Sequence, residues 1–224
     1  MNYIVIPAYQ PDNKLIKLIE KIHEKSDFHI LVIDDGSSSE CQKIFDKAKQ
    51  FATVIRHQVN QGKGQALKTA FTYIQEQNIY GTVVTADADG QHKVWDIFRT
   101  ANKASENPNK LILGVRAFSG KVPLRSRFGN SLTKALFKLQ TGVGVTDTQT
   151  GLRAFTTNLI PFMLKIEGQR YEYEMNMLLE ATKEYEILEV PIETVYINDN
   201  EASHFRPIQD GLMIYKNIFK FALS

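Results

Sequence analysis

The chain has little of several features that would each indicate a particular class of protein. One cysteine, Cys41, in 224 residues excludes an intramolecular disulfide framework and suits a reducing compartment. A formal net charge of only +2 gives no indication of nucleic-acid binding. No apolar run reaches the roughly 18 residues of a membrane-spanning helix, and the strand-like Ile4–Ile6 follows Met1 too closely for a signal peptide. The length of 224 residues and the hydrophobic content of 43% fit one globular domain with a substantial core, or one domain plus a small appendage.

The first 116 residues alternate between strand and helix patterns. Short β-branched or apolar runs predict strands near Tyr3–Pro7, His29–Ile33, Thr53–His57, Thr82–Ala86 and Leu111–Val115. Helical periodicity between them covers Leu15–Ile22, Ser39–Phe51, Gly64–Gln77 and Val94–Asn107. The alternation predicts an α/β fold, in which a mainly parallel sheet has helices on both faces. Ligands of such sheets bind outside the carboxyl ends of the strands.

The pattern is looser after Arg116. The expected elements are a helix at Phe128–Gln140, a turn-rich segment at Thr141–Arg153, a helix at Tyr173–Lys183, a strand-like run at Ile187–Ile197 and a polar loop at Asn198–Arg206. The apolar tail with interleaved lysines, Ile214–Leu223, predicts a closing amphipathic helix, or alternatively the approach to a membrane segment absent from this chain. No linker or repeat interrupts the chain. We therefore expect a single domain, with a nucleotide-type half at 1–116 and an acceptor-type half with the C-terminal helix at 117–224.

The segment Asp87–His92 follows the fourth predicted strand and has the sequence Asp-Ala-Asp-Gly-Gln-His. Residues two apart in a strand point to the same side, so Asp87 and Asp89 can present oxygens to one point, with the Gln91 carbonyl next in register. Mg²⁺ and Mn²⁺ prefer such oxygens and link carboxylates to phosphates. The segment indicates a metal–diphosphate site, and the alternative is a loop of solvated aspartates.

Other polar residues also follow strands. Asp34 and Asp35 end the second strand and could accept hydrogen bonds from a base or a ribose, although a turn and a helix cap would also explain them. Tyr9 follows the first strand, where an aromatic ring could stack on a base or simply pack. Lys63 lies between two glycines at a predicted helix N-terminus, which favours anions.

The second half contributes arginines and one further carboxylate. Arg116, Arg125 and Arg127 follow the fifth strand, and their guanidinium groups suit phosphate, although a solvated basic face is equally compatible. The polar turn Asp147–Arg153 could supply a carboxylate on the acceptor side. In the loop before the last helix, His204 and Arg206 could close over a diphosphate.

Taken together, these pieces resemble glycosyltransferase family 2, which has the inverting GT-A fold. The matching segments are Pro7–Tyr9, Val32–Ser37, Asn60–Gly64, Ala86–His92, Gly114–Arg116 and Asp147–Arg153. They occur in the family's order. The segments Ala86–His92 and Asp147–Arg153 are similar to those of dolichol-phosphate mannosyltransferase and bacterial polyprenyl-phosphate glycosyltransferases.

The resemblance implies a role for each matching residue. The nucleotide sugar would be bound by Pro7, Tyr9, Asp34, Asp35, Lys63, Asp87 and Ala88. The metal, Mg²⁺ or Mn²⁺, would be bound by Asp87, Asp89, Gln91 and His204. The acceptor phosphate would be bound by Arg116, Arg125, Arg127, Arg153 and Arg206. Asp89 and Asp147 are the candidate catalytic residues.

The implied activity is transfer of a hexose or N-acetylhexosamine from a nucleotide sugar to polyprenyl (undecaprenyl) phosphate. The donor is expected to be UDP-linked, with GDP as the alternative. We expect a peripheral enzyme at the cytoplasmic face of a membrane, with no nucleic-acid partner. A homo-oligomer and a membrane domain outside this chain stay open.

Three other functions are compatible with parts of the sequence. A related transferase could act on a sugar hydroxyl in a wall or capsule polysaccharide, and it would need Asp147 as a general base, whereas an ionised lipid phosphate needs none. A sugar-phosphate nucleotidyltransferase should have a glycine-rich loop after the first strand, but Pro7–Lys14 contains no glycine. A regulator that only binds nucleotide sugars would not need Asp87, Asp89 and Gln91.

Overall fold

The protein is described by a computed structural model covering residues 1–116 and 124–193, with the helix at 124–132 described by its backbone alone. In chain order the elements are β1 (Tyr3–Ala8), α1 (Asn13–His23), β2 (His29–Asp34), α2 (Gln42–Ala48), β3 (Thr53–Arg56), α3 (Lys63–Glu76), β4 (Thr82–Thr85), α4 (Val94–Glu106), β5 (Lys110–Arg116), α5 (Leu124–Thr141), β6 (Arg153–Thr156), α6 (Ile160–Lys165), α7 (Glu172–Glu184) and β7 (Glu186–Ile192). Short 3₁₀ turns at Ser39–Cys41 and Thr157–Leu159 precede α2 and α6.

The seven strands form one sheet in the order β3-β2-β1-β4-β6-β5-β7. Every neighbouring pair is parallel except the two pairs that include β6, which runs antiparallel to β4 and to β5. The central strands are buried along almost their whole length because helices cover both faces of the sheet. The predicted α/β fold with a mainly parallel sheet is confirmed.

Two apolar clusters lie on opposite faces of the sheet. One packs the apolar stripes of α3 and α7 against the strands, with Phe71 edge-on to Phe155. The other packs α1, α2 and α4 against the opposite face, around residues such as Ile19 and Phe45. The Asp12 side chain begins α1 by accepting a hydrogen bond from Lys14 N at 2.7 Å.

The structure corrects several expected boundaries. The helix expected at 39–51 is a 3₁₀ turn followed by the seven-residue α2. Strand β6 and helix α6 are not predicted from the sequence, because each is too short to show a period. The helices expected at 128–140 and 173–183 begin four residues and one residue earlier, and each ends one residue later.

Some predictions concern residues that the structure does not describe. The strand expected at 187–197 ends at Ile192 in the structure. Residues 194–197, the loop at 198–206 and the C-terminal helix lie outside the described residues. Among the described residues, no helix is long and apolar enough to cross a membrane. The division into halves at residue 116 stays a prediction.

Candidate active site

The polar segments meet at one edge of the sheet. Strands β1 to β5 all end there, and the antiparallel β6 begins there with Arg153. The loops after β2, β3 and β4 and the segment that enters β6 are therefore neighbours, as the parallel arrangement predicts.

Asp87 lies two residues beyond β4 and is contacted by several of the segments at this edge. Its Oδ1 accepts a hydrogen bond from Lys63 Nζ at 2.7 Å, and its Oδ2 lies 3.2 Å from His92 Nε2. A Cβ atom at Gly151, which precedes β6, would lie 2.3 Å from Asp87 Oδ2. Burial by itself would raise the pKa of Asp87, but the charge of Lys63 and the hydrogen bond from His92 hold that pKa well below its usual range. Asp87 is therefore a fixed, ionised carboxylate.

Asp89 lies beside Asp87 and has a different electrostatic environment. Its Oδ1 accepts a hydrogen bond from Gln91 N at 3.0 Å. Burial and the negative charge of Asp87 raise the pKa of Asp89. A divalent cation at this site would offset the repulsion that Asp87 exerts on the ionised form of Asp89.

The donor atoms at this edge fit a magnesium-like ion. Within the described residues, no group of three or more His, Cys, Asp or Glu side chains is arranged to hold a metal. Asp87 and Asp89 supply two carboxylates, and Mg²⁺ is usually held by one or two carboxylates together with substrate phosphates and water. The residues therefore fit a cation whose remaining ligands come from a diphosphate and water. His204, the other expected ligand, lies outside the described residues.

Asp35 is buried and its carboxylate is fully used within the protein. It accepts hydrogen bonds from Gln61 N at 2.9 Å, from Gly62 N at 2.8 Å and from the Asn60 amide at 2.9 Å, and it lies 2.8 Å from His57 Nδ1. These contacts hold the loop that leads into α3. In this structure Asp35 shapes the nucleotide side of the site. Its carboxylate has no free oxygen for the direct nucleoside contact that the sequence predicts.

The other residues of the expected base pocket differ in their burial. Asp34 is buried, and its Oδ1 accepts a hydrogen bond from Ser37 N at 2.8 Å, while its Oδ2 lies 3.3 Å from Arg56 Nε. Pro7 is half-buried within β1, and Tyr9 is exposed just beyond it. Ala88 is half-buried between Asp87 and Asp89.

Asp147 and Arg116 form a two-pronged ion pair. Arg116 Nε donates to Asp147 Oδ2 at 2.6 Å, and Arg116 Nη2 donates to Oδ1 at 3.0 Å. Gln149 N also donates to Oδ1 at 3.0 Å. The Asp147 side chain has no solvent exposure, whereas 19% of the Arg116 side chain is exposed. The pair therefore presents its cation outward and its carboxylate inward.

Arg153 is placed differently from the sequence expectation. It is 1% exposed, and its guanidinium donates to the carbonyl oxygens of Thr150, at 3.0 Å, and of Glu174. Arg153 therefore connects the turn before β6 to α7. For this reason we do not propose it as a contact of the acceptor phosphate. The side chains of Arg125 and Arg127, in the first turn of α5, and the whole of Arg206 are outside the described residues.

Glu174 was not identified from the sequence, yet it reaches the site from α7. Its Oε2 lies 2.8 Å from Lys63 Nζ. A glutamate on an amphipathic helix carries no local sign of such a role, so only the fold reveals it.

Comparison of the sequence with known proteins identifies the family to which the chain belongs. The model of the family described as glycosyl transferase family 2 matches residues 3–163, and the chain belongs to that family. A UDP-N-acetylglucosamine–dolichyl-phosphate N-acetylglucosaminyltransferase from Methanococcus voltae is 28% identical over 87% of this chain and 85% of its own length. A polyprenol monophosphomannose synthase from Mycolicibacterium smegmatis is 23% identical over 84% of this chain and 75% of its own.

A solved structure supports the fold. The glucosyl-3-phosphoglycerate synthase from Mycobacterium tuberculosis, determined with Mn²⁺, UDP and phosphoglyceric acid, superposes with a TM-score of 0.72. It is 17% identical and covers all of this chain and 78% of its own. The GT-A fold and the assignment as a glycosyltransferase are confirmed.

Proposed function

We propose that this glycosyltransferase transfers a hexose or N-acetylhexosamine, with inversion, from a UDP-sugar to a polyprenyl phosphate at the cytoplasmic face of a membrane. The relatives named above for dolichyl-phosphate and polyprenol substrates support a lipid phosphate as the acceptor. The proposal includes Mg²⁺ or Mn²⁺ at Asp87, Asp89 and Gln91.

The observation that carries the acceptor assignment is the state of Asp147. A sugar hydroxyl must lose a proton as it attacks, so its transferase needs an accessible general base. The Asp147 carboxylate is enclosed and its two oxygens are bound by Arg116 and Gln149 N. A phosphate monoester is already ionised at neutral pH and needs a cation rather than a base. Arg116, with its outward edge at the strand end, is such a cation.

On the donor side, the fixed loop after β3 and the backbone around Asp34 would receive the nucleoside. The negative charge of Asp87 and Asp89 would hold the divalent cation. When bound, that cation neutralises the charge that grows on the leaving nucleoside diphosphate. Lys63, held against Asp87, adds a fixed positive charge beside the same diphosphate.

The experiment that tests the proposal is transfer of labelled sugar from a panel of UDP- and GDP-sugars to a short polyprenyl phosphate. The reactions contain Mn²⁺ or Mg²⁺, with an EDTA blank, the Asp89→Ala variant and the Asp46→Ala variant. Asp46 is an exposed aspartate on α2 and serves as the matched control.

We expect a butanol-extractable product from one donor that requires metal, is lost in Asp89→Ala and is unchanged in Asp46→Ala. Metal-dependent hydrolysis of the donor with no lipid product would overturn the acceptor assignment. Product formation in EDTA equal to that in Mn²⁺ would overturn the metal assignment.

A further inference from the structure

The loop that carries Lys63 is fixed by close packing between two distant parts of the chain. A Cβ atom at Gly62 would lie 2.5 Å from Gln169 O, and one at Gly64 would lie 2.5 Å from the Tyr173 Cβ. Gln65 N donates to Gln169 O at 2.8 Å. Gly62 also has a φ of +102°, which disfavours other residues. The start of α3 is therefore seated against the start of α7, and the backbone of Lys63 has little freedom.

The side chain of Lys63 joins the two carboxylates that this packing brings together. Its Nζ lies 2.7 Å from Asp87 Oδ1 and 2.8 Å from Glu174 Oε2, and the side chain is only 17% exposed. Burial by itself would lower the pKa of Lys63, but the two carboxylates raise it above its usual range. The ammonium group is therefore shared between a metal-site aspartate and a glutamate outside every motif found in the sequence.

Glu174 is itself firmly held. It lies in the first turn of α7, 9% exposed, and its carbonyl oxygen accepts a hydrogen bond from the buried Arg153. The neighbouring Tyr173 fixes the same turn, since its hydroxyl donates to Met163 O at 2.8 Å. Glu174 can therefore act as a fixed counter-charge.

The charges of this cluster determine how it meets a cation. Asp87, Asp89 and Glu174 contribute three negative charges and Lys63 one positive charge. These four side chains together carry two net negative charges, which favour a divalent cation. Without Glu174, the ammonium of Lys63 would belong to Asp87 alone and would compete more strongly with a metal for that carboxylate.

We propose that Glu174 is a positioning residue that draws the charge of Lys63 partly away from Asp87 and so sets the affinity of the site for a divalent cation. This inference rests on the metal-dependent function proposed above. Glu174 contacts Lys63 and acts through it, rather than contacting the substrate or the metal.

The test is a Mn²⁺ titration of the purified full chain, with free Mn²⁺ measured by electron paramagnetic resonance and folding checked by circular dichroism. For Glu174→Gln we expect the dissociation constant to rise about ten-fold, because one negative charge near the cation is lost. For Lys63→Met we expect it to fall about ten-fold, because a competing positive charge is lost. The double variant should return close to the wild-type value.

Glu172→Gln is the matched control. Glu172 is a buried glutamate on the same turn of α7, but its carboxylate accepts hydrogen bonds from Gln169 N and Arg170 N. Its substitution should leave the Mn²⁺ dissociation constant within about two-fold of the wild type, because the amide oxygen of glutamine can still accept both hydrogen bonds. Lys63 itself pairs with Asp87 and Glu174. If Glu174→Gln alone does not fold, the comparison of the double variant with Lys63→Met measures the same charge step.

The outcomes separate this inference from the proposed function. Wild-type protein that binds no Mn²⁺ would overturn the metal assignment and this inference with it. Mn²⁺ binding that is equal in wild type, Glu174→Gln and Glu172→Gln would overturn the inference alone. Weaker binding in both Lys63→Met and Glu174→Gln, without recovery in the double variant, would show a merely structural role and would also overturn it.

Discussion

The contact between Gly151 and Asp87 gives the sharpest prediction about the site. A Cβ atom at Gly151 would lie 2.3 Å from Asp87 Oδ2 and 2.6 Å from Oδ1, whereas ordinary contact begins near 3.4 Å. In Gly151→Ala, the carboxylate or the loop before β6 must therefore move by about 1 Å. The carboxylate cannot yield freely, because Lys63 and His92 hold its two oxygens.

The size of the effect follows from this displacement. Overpacking of a closely packed position costs about 1–3 kcal/mol of the free energy of unfolding. Displacement of a binding group by about 1 Å can reduce catalysis by about 100-fold. We therefore expect Gly151→Ala to lose up to about 3 kcal/mol of stability and about 100-fold in transfer, with weaker Mn²⁺ binding.

Gly144→Ala is the control for the general effect of adding a methyl group. Among the described residues, nothing lies within 4 Å of a Cβ atom at Gly144, and the φ of Gly144 is not in the left-handed region. We expect unchanged or slightly higher stability, because alanine restricts the unfolded chain more than glycine does. Urea unfolding followed by circular dichroism and the transfer assay would compare the two variants. Wild-type stability and transfer in Gly151→Ala would refute the packing of Gly151 on Asp87.

Three further predictions concern individual side chains. Asp35→Asn should destabilise the protein by about 1–3 kcal/mol in urea unfolding, because its new amide donor would face other donors. Unchanged stability would show that Asp35 does not hold the loop. Arg153→Met should cost about 3 kcal/mol, because two carbonyl groups lose a charged donor; a fully stable variant with only a raised KM for the acceptor would restore Arg153 as a phosphate contact. Since the pKa of Asp89 is raised, Mn²⁺ binding should decline as pH falls, beginning at a higher pH than an ordinary aspartate would cause. A Mn²⁺ titration at several pH values checks this, and binding that persists down to the usual aspartate range would contradict it.

Much of the fold could be predicted because its elements are locally encoded. Strands β1 to β5 are short apolar runs between turn residues, and α1, α3 and α4 show a helical period. The parallel order of these strands then determines that their carboxyl ends share one edge. The position of Asp87, Asp89 and Arg116 at that edge follows from the sequence for the same reason.

The remaining features depend on contacts between distant residues. The four residues of β6 form a strand only because β4 and β5 leave a place between them, and its polar first residue, Arg153, reads as part of a loop. The sequence likewise presents Asp147 as a free carboxylate, because its partner Arg116 lies in another element. Glu174 resembles any helical glutamate until α7 is docked against α3. Pairing decides what each charged group does, and pairing is set by the tertiary structure.

The arrangement of fixed charges has a consequence for the proposed reaction. An ionised lipid phosphate and a nucleotide-sugar diphosphate are both anions, so they would repel each other as they approach. The site provides separate positive groups for the two: Arg116, anchored by the enclosed Asp147, and Lys63, beside the carboxylates that suit a divalent cation. If the cations were not anchored, either anion could draw both of them, and the second anion would lose its neutralising partner. In the proposed reaction, the ion pairs with Asp147 and Glu174 would act as anchors that keep one cation for each substrate.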